Sequence, residues 1–486
     1  MEPVVSIGSQ PDRALMALKD LPGPPGIPIF GNARQIIPHQ MHIQLEDWCH
    51  VFGERYRISL GARKILVCSN AEDIAAVLKN RPKHFRRTTR LEMISKELNM
   101  AGLFAANGDD WRRQRTLVMH AFNPVHVKSY YPSLQIVTRR LLGRFRTLAD
   151  KKTPFELIPE LMRYTVDVTA GLAFGTDVNT IETDGVTIQQ HLNGTFRMLQ
   201  KRLFAPFPYW HWIKFSDDRA LDRSAQVIKN AIQGFIQSAR ERMSENPRLF
   251  DFPENLLEAL IAARDENESK LSEADLTGNI LTILLAGEDT TAHTLAWTIY
   301  YFYKYPKVFS RAREEVDSVI GEDDVASNYE RLAEMDFLEA CINESMRLRP
   351  VAPFIGSEAN FDTQVADVSI PKGTMILMLP RVASIDERNF LKAMEFRPER
   401  WLEAGRHEHN RKVSIPFGSG PRLCPGRFLA MEEMKMALST LIKNFDIELI
   451  ESQNGNQVRE HLSFTMSPLG LHMKMRKRDF SIRHIL

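Results

Sequence analysis

A mainly helical protein with a small strand-rich part is the fold class that this sequence predicts. Three observations predict it. Helical periodicity dominates from Glu72 to about Ser345 and returns at about Arg427 to Lys443. Short strand patterns, bounded by proline and glycine, lie toward the two ends of the chain. The alternating strand and helix order of a doubly wound sheet is absent. The chain has 486 residues, more than one compact core holds, so it forms several domains or one large elaborated domain.

The elements follow in order. Leu21-Pro22-Gly23-Pro24-Pro25-Gly26 excludes helix and central strand, because proline lacks a donor and fixes its own φ. Arg55 to Leu60 and Lys64 to Cys68 read as a hairpin around Gly61-Ala62. Ser272-Glu273-Ala274-Asp275 is a capping box, and helical spacing runs on to about Lys304, roughly 50 Å of helix. Gly287, Glu288, Asp289, Thr290 and Thr291 sit in the apolar middle of that helix. Glycine there costs about 1 kcal/mol relative to alanine. A functional break in the helix would explain it. Thr363 to Val368, Ser369-Ile370 and Thr374 to Leu379 read as short strands. So do Phe445 to Ile450 and Gly470 to Met475. The strand-rich part thus draws on about 55–70, 350–380 and 445–475.

Composition narrows the class. Hydrophobic residues are 43% and charged residues 26%, as in soluble globular proteins. Lys+Arg is 63 against 61 Asp+Glu, which gives no basic excess for nucleic acid. The N-terminal stretch has neither a signal-peptide layout nor an apolar run near 18 residues, so no transmembrane anchor and a cytoplasmic location are predicted. Cys49, Cys68, Cys341 and Cys424 lack C-x-x-C spacing, which argues against zinc and iron–sulfur sites. Three of them read as small hydrophobic filler.

Cys424 is different. In Phe417-Gly418-Ser419-Gly420-Pro421-Arg422-Leu423-Cys424-Pro425-Gly426 the glycines and prolines force a tight loop that ends at a helix start. Backbone N–H groups, the positive helix end and the Arg422 cation would stabilise a thiolate there. The bland alternative is a glycine turn with a buried thiol.

This segment resembles the haem-binding loop F-G-x-G-x-R-x-C-x-G of the cytochrome P-450 family. Ala286-Gly287-Glu288-Asp289-Thr290-Thr291 resembles its oxygen-activation stretch, Glu344-Ser345-Met346-Arg347 its E-x-x-R, Phe396 to Trp401 its P-E-R motif, and Trp111 to Arg115 its W-x-x-x-R. The resemblance runs from about Leu21 to Met475 and is similar to the longer microsomal-like branch. It implies residues 1–20 as an N-terminal extension and 21–486 as one haem domain, with the long central helix over haem b. It implies Cys424 as the axial thiolate and metal ligand, with Phe417, Gly418, Arg422 and Gly426 shaping the loop. Trp111, Arg115 and Arg422 would hold the haem propionates. The third propionate contact stays unassigned, since Phe354 to Ala359 offers no Arg or His. Glu344, Arg347 and Arg400 would lock the fold. Asp289 and Thr290 would supply protons, with Gly287 letting the helix open to hold a water.

The pocket would involve Ala286, Val351, Phe354, Met466 and the segments Arg90 to Leu103 and Phe196 to Phe207. The aromatic stretch Phe204 to Trp212 reads equally as a lid, a membrane-surface segment or core. The implied activity is insertion of one atom of O2 into a small lipophilic substrate. Electrons would come from a separate ferredoxin, flavodoxin or diflavin reductase, and NADPH or NADH would act only through it. Arg112, Arg113, Arg411, Lys412, Arg427 and Lys435 are candidates for its docking face. The missing anchor suggests a bacterial source. The rivals are an H2O2-driven peroxygenase and a non-catalytic haem sensor or carrier.

Overall fold

The computed structural model describes residues 15–99, 102–183, 188–265, 272–405, 409–452 and 458–479. Helices make the body and short strands form small sheets beside it, as predicted. Arg55–Leu60 and Arg63–Cys68 pair as the expected hairpin. Met375–Met378 joins in parallel, followed by Ile355–Ala359 and Phe85–Arg86, to make five strands. Alternation along Arg63–Cys68 sends Ile65 and Val67 into one core, and Leu66 and Cys68 into another. Both faces of this sheet are therefore covered.

Two details differ from the sequence reading. The stretch from Thr363 is not one strand. The chain turns at Ala366, with φ 50°, and folds Thr363–Val365 back on Val368–Ile370. That turn buries Val365, Val368 and Ile370 in one core. Residues 15–20, assigned by sequence to an extension, join the fold: Met16–Ala17 pairs with Val368 and Ser369, and Leu18 is buried. Residues 1–14 of that extension lie outside the described residues.

The central helix spans Glu273–Lys304. Ser272 Oγ accepts the Asp275 N–H at 3.1 Å, and Asp275 Oδ2 accepts the Ser272 N–H at 2.9 Å, closing the predicted capping box. The helix crosses the whole body against Leu157–Phe174 and reaches the sheet core at Trp297. It is continuous through Gly287, which corrects the expected break. A Cβ on Gly287 would lie 2.3 Å from Thr169 Oγ1. Glycine is there because the Thr169 side chain of the crossing helix fills the space a Cβ would take.

Candidate active site

Cys424 sits at the end of a loop shaped by glycine. Gly418 and Gly420 take φ of 73° and 70°, and a Cβ on Gly420 would meet Leu78 O at 2.5 Å. The Cys424 N–H donates to Phe417 O at 3.0 Å, closing the loop before the helix Arg427–Asn444. Burial raises the thiol's pKa, and the Gly426 N–H, Arg115 and Arg427 pull it back. Arg422 is not among these groups. Its guanidinium stacks over Trp111 at 4.7 Å and donates to Ala106 O at 2.7 Å. Arg115 and Arg427 take the place beside the sulfur that sequence reading gave to Arg422, and Arg115 Nη2 donates to Leu423 O at 2.7 Å.

Arg115 and Arg422 belong to a larger group. Burial, reinforced by Arg87, Arg81 and Arg115, pushes Arg422 down to about 8, and burial with Arg87 pushes Arg81 to about 9. Burial pushes Arg87 down to about 10 and also lowers Arg115. Arg81 Nη2 donates to Ser419 O at 3.2 Å, inside the cysteine loop. Arg87 Nε donates to Phe104 O at 3.1 Å. None of the four forms an ion pair with a carboxylate among the described residues. Buried cations without counter-charge are costly. Four together beside a thiol fit a dianionic group that carries a metal. Sequence reading missed Arg81 and Arg87, because they flank the short strand Phe85–Arg86, outside every motif.

On the central helix Ala286 is exposed and Thr290 half-buried, while Glu288 and Asp289 are buried. The Thr290 hydroxyl donates to Ala286 O at 2.8 Å, the bond of a helix threonine to the preceding turn. Thr294 and Thr298 repeat it, each at 2.8 Å. Asp289 Oδ2 accepts from Thr465 Oγ1 at 3.2 Å, and Oδ1 has no partner among the described residues. Burial pushes Asp289 up to about 7, and burial, with the Asp289 carboxyl beside it, holds Glu288 well above the usual carboxylate range.

The expected pocket residues divide. Val351 and Phe354 are half-buried, and Phe354 meets Phe204 edge-on at 5.7 Å. Met466 is fully buried in the sheet core with Trp297 and Leu462, so it packs rather than lines a pocket. The hairpin of Glu460–Ser463 and Thr465–Pro468 turns on Phe464, at φ 78°. An aromatic residue in that region is strained. Phe464 stacks on Phe196 at 5.3 Å and meets Phe104 at 6.0 Å. Only the turn position, which sequence did not show, singles it out. Within Phe204 to Trp212, Trp210 is buried and donates to Glu97 at 2.8 Å, whereas Phe207 and Trp212 are exposed.

Glu344 accepts from Arg347 Nε and Nη2 (both 2.8 Å), Arg400 Nε (3.1 Å), the Arg397 N–H (2.9 Å) and Trp401 Nε1 (2.9 Å). Glu344, Arg347 and Arg400 are fully buried. Lys435 corrects the docking face. It is 1% exposed and pairs with Glu339 at 3.3 Å, because the helix after the cysteine loop turns it inward. Arg112, Lys412 and Arg427 are exposed; Arg112 pairs with Asp109 and Arg113 with Asp110.

A helical fold that holds a cysteine loop beside a nest of arginines defines a haem-thiolate class of protein. Comparison with known proteins agrees. The family described as Cytochrome P450 matches residues 21–475. The chain is 26% identical to "Cytochrome P450 4d2" of Drosophila melanogaster, over 94% of each chain. It is 28% identical to "Steroid 17-alpha-hydroxylase/17,20 lyase" of Gallus gallus, over 88% of this chain and 86% of the relative. The structure superimposes on the cytochrome P450DA heme domain with TM-score 0.81 at 20% identity, covering 96% of this chain and 99% of that one. The chain belongs to the cytochrome P450 family. It is a monooxygenase, in a family that uses haem-thiolate iron, O2 and a redox partner. These named relatives are animal proteins and lend no support to a bacterial source. Among the described residues, no helix is long and apolar enough to cross a membrane.

Proposed function

We propose that this enzyme inserts one atom of O2 into a small apolar substrate, with electrons delivered by a separate donor protein. The observation that carries this reading is Cys424 set near four arginines, Arg81 and Arg422 buried and Arg87 and Arg115 half-buried, with no carboxylate partner among the described residues. When bound, haem with a thiolate ligand supplies the activation of O2. Everything else falls to the chain. The Gly426 N–H, Arg115 and Arg427 favour Cys424 as a thiolate against the pull of burial. Arg81, Arg87, Arg115 and Arg422 would hold the two propionates, and Trp111 supports Arg422 from below. Phe104, Phe196 and Phe464 give the substrate side an apolar wall.

Reduction of O2 consumes protons, and Asp289 supports the role of supplying them. A carboxyl held near 7 gives and retakes a proton close to neutral pH. Thr290, next in the chain, presents its hydroxyl on the face shared with Ala286. The exposed cations Lys412 and Arg427 suit an acidic patch on a ferredoxin, flavodoxin or diflavin reductase, through which NADPH or NADH acts.

Cys424→Ser tests the central claim. The variant is expected to fold, by circular dichroism, and to lose the long-wavelength Soret band of the reduced CO complex. A normal thiolate-type band in that variant overturns the assignment. Product formed with a surrogate reductase and NADPH, and not with H2O2 alone, separates the monooxygenase from a peroxygenase.

A further inference from the structure

Of the three rings in the apolar wall, Phe104 and Phe464 lie in turns and Phe196 lies on the helix Ile188–Phe204. Gln200 follows Phe196 by four residues, so the two side chains share one helix face. That face holds the tip of the Glu460–Pro468 hairpin at two points. The Phe196 ring stacks on Phe464 at 5.3 Å and 16°, and Gln200 Oε1 accepts the Phe464 N–H at 3.1 Å. Gln200 Nε2 donates to Pro38 O at 3.0 Å. A backbone carbonyl only accepts, so the two bonds together fix which end of the amide faces Phe464. Gln200 is 6% exposed, and water does not readily replace either bond.

The tip needs this partner. Ser463 pairs with Thr465, so Phe464 alone makes the turn, at φ 78°. It has no residue opposite it in the hairpin, and its N–H must be satisfied from outside. A phenylalanine at positive φ keeps that conformation only where its surroundings over-determine it. The base of the hairpin is fixed separately. Glu460 pairs there with His42 at 2.7 Å, Arg381 at 2.8 Å and Arg349 at 2.9 Å. With the base anchored, the motion left to the tip is the one that Gln200 opposes. Phe104 is held by the same device: the buried Asn279 side chain accepts the N–H of neighbouring Leu103 at 2.9 Å.

We propose that Gln200 is a positioning residue for substrate size: it keeps Phe464 in its left-handed turn against Phe196 and so fixes how far an apolar chain extends along the wall. The proposal rests on the reading of Phe104, Phe196 and Phe464 as the substrate-side wall. It requires no contact between Gln200 and the substrate. When the bond is lost, Phe464 relaxes toward negative φ and its ring leaves Phe196. The wall then has no fixed end, and chains of different length are told apart less sharply.

N-alkylimidazoles from butyl to dodecyl test this in the haem-loaded enzyme. Their ring nitrogen shifts the Soret band on binding, and their chain meets the wall. Dissociation constants along the series give a length profile. Gln200→Met keeps about the same volume and cannot accept the N–H. Gln200→Glu keeps the acceptor, and burial keeps its carboxyl protonated, so it also donates to Pro38 O. Phe464→Ala removes the ring. Circular dichroism, Tm and the thiolate-type CO band are recorded for each variant. Gln200→Met is expected to flatten the profile, cutting the ratio between the best and worst lengths roughly fivefold. Gln200→Glu is expected to keep the wild-type profile. In the Phe464→Ala background Gln200→Met is expected to add nothing, because its effect passes through that ring. If Phe464→Ala changes the profile and Gln200→Met leaves it as wild type, whatever its Tm, the amide only packs and the proposal is overturned. Flattening by Gln200→Met that is equal with and without the Phe464 ring overturns it as well. If Phe464→Ala itself leaves the profile unchanged, the ring does not face the substrate and the reading beneath the proposal has failed.

Discussion

Replacing Gly287 by alanine should change sign with the residue at position 169. The new Cβ would stand 2.3 Å from Thr169 Oγ1, 2.8 Å from Cγ2 and 3.1 Å from Cβ. The first distance is more than 1 Å short of an ordinary contact. Both positions lie where two long helices cross, so neither backbone moves cheaply. Overpacking of this kind costs about 1–3 kcal/mol. Alanine returns about 1 kcal/mol of helix propensity. In the wild-type background the variant should therefore lose as much as about 2 kcal/mol. With Thr169→Ala the two worst contacts vanish and only the 3.1 Å approach remains, which a shift of a few tenths of an ångström relieves. There Gly287→Ala should stabilise, toward the full helix-propensity gain. The Thr169 hydroxyl has no partner among the described residues, so its removal breaks no hydrogen bond there. Unfolding entropy near 2.1 cal/mol/K per residue gives ~1 kcal/mol/K for a chain of this length, so each kcal/mol moves Tm by about 1 °C. Scanning calorimetry on the four proteins of the cycle at one scan rate resolves this. The same sign in both backgrounds would refute the crossing argument. If glycine were instead required for the helix to open, Gly287→Ala would raise peroxide leakage whatever stands at position 169.

Three further outcomes are expected. Glu344→Gln leaves two buried guanidiniums without their carboxylate and should cost about 3–5 kcal/mol, read as a fall in soluble, haem-loaded protein and in Tm. Asp289 is raised from its ordinary value near 4 to about 7, so it stabilises the fold most in acid, and that contribution fades as pH rises through 7. Asp289→Asn should therefore gain in Tm relative to wild type between about pH 4 and 7 and level off above; a constant difference across that window would show that the carboxyl is not raised. Lys412→Glu with Arg427→Glu should slow reduction by an acidic electron donor, in a salt-dependent way, and leave the substrate affinity as it was. Reduction that ignores both salt and charge reversal would place the docking face elsewhere.

The sequence by itself determined what short-range chemistry determines. The capping box at Ser272, the hairpin over Arg55 to Cys68 and the cysteine loop each depend on residues within a few positions of one another. Proline and glycine fix backbone angles locally, and capping side chains bond the nearest N–H groups, so these features are legible before folding. The trio of Glu344, Arg347 and Arg400 was legible as well, from its motifs. What sequence reading could not reach depends on which distant surfaces meet. Thr465 lies 176 residues from Asp289. Gly287 reads as a place for the helix to open until Thr169 is seen against it. Lys435 reads as a surface cation until the helix turns it inward, Met466 reads as a pocket residue until the hairpin buries it in the sheet core, and Phe464 gains its place only from the turn. Arg81 and Arg87 carry no pattern at all; they gain their meaning from packing beside Arg115 and Arg422 with no carboxylate partner among the described residues. Burial and desolvation are properties of the packed chain, and only the tertiary structure decides which charges it leaves unpaired.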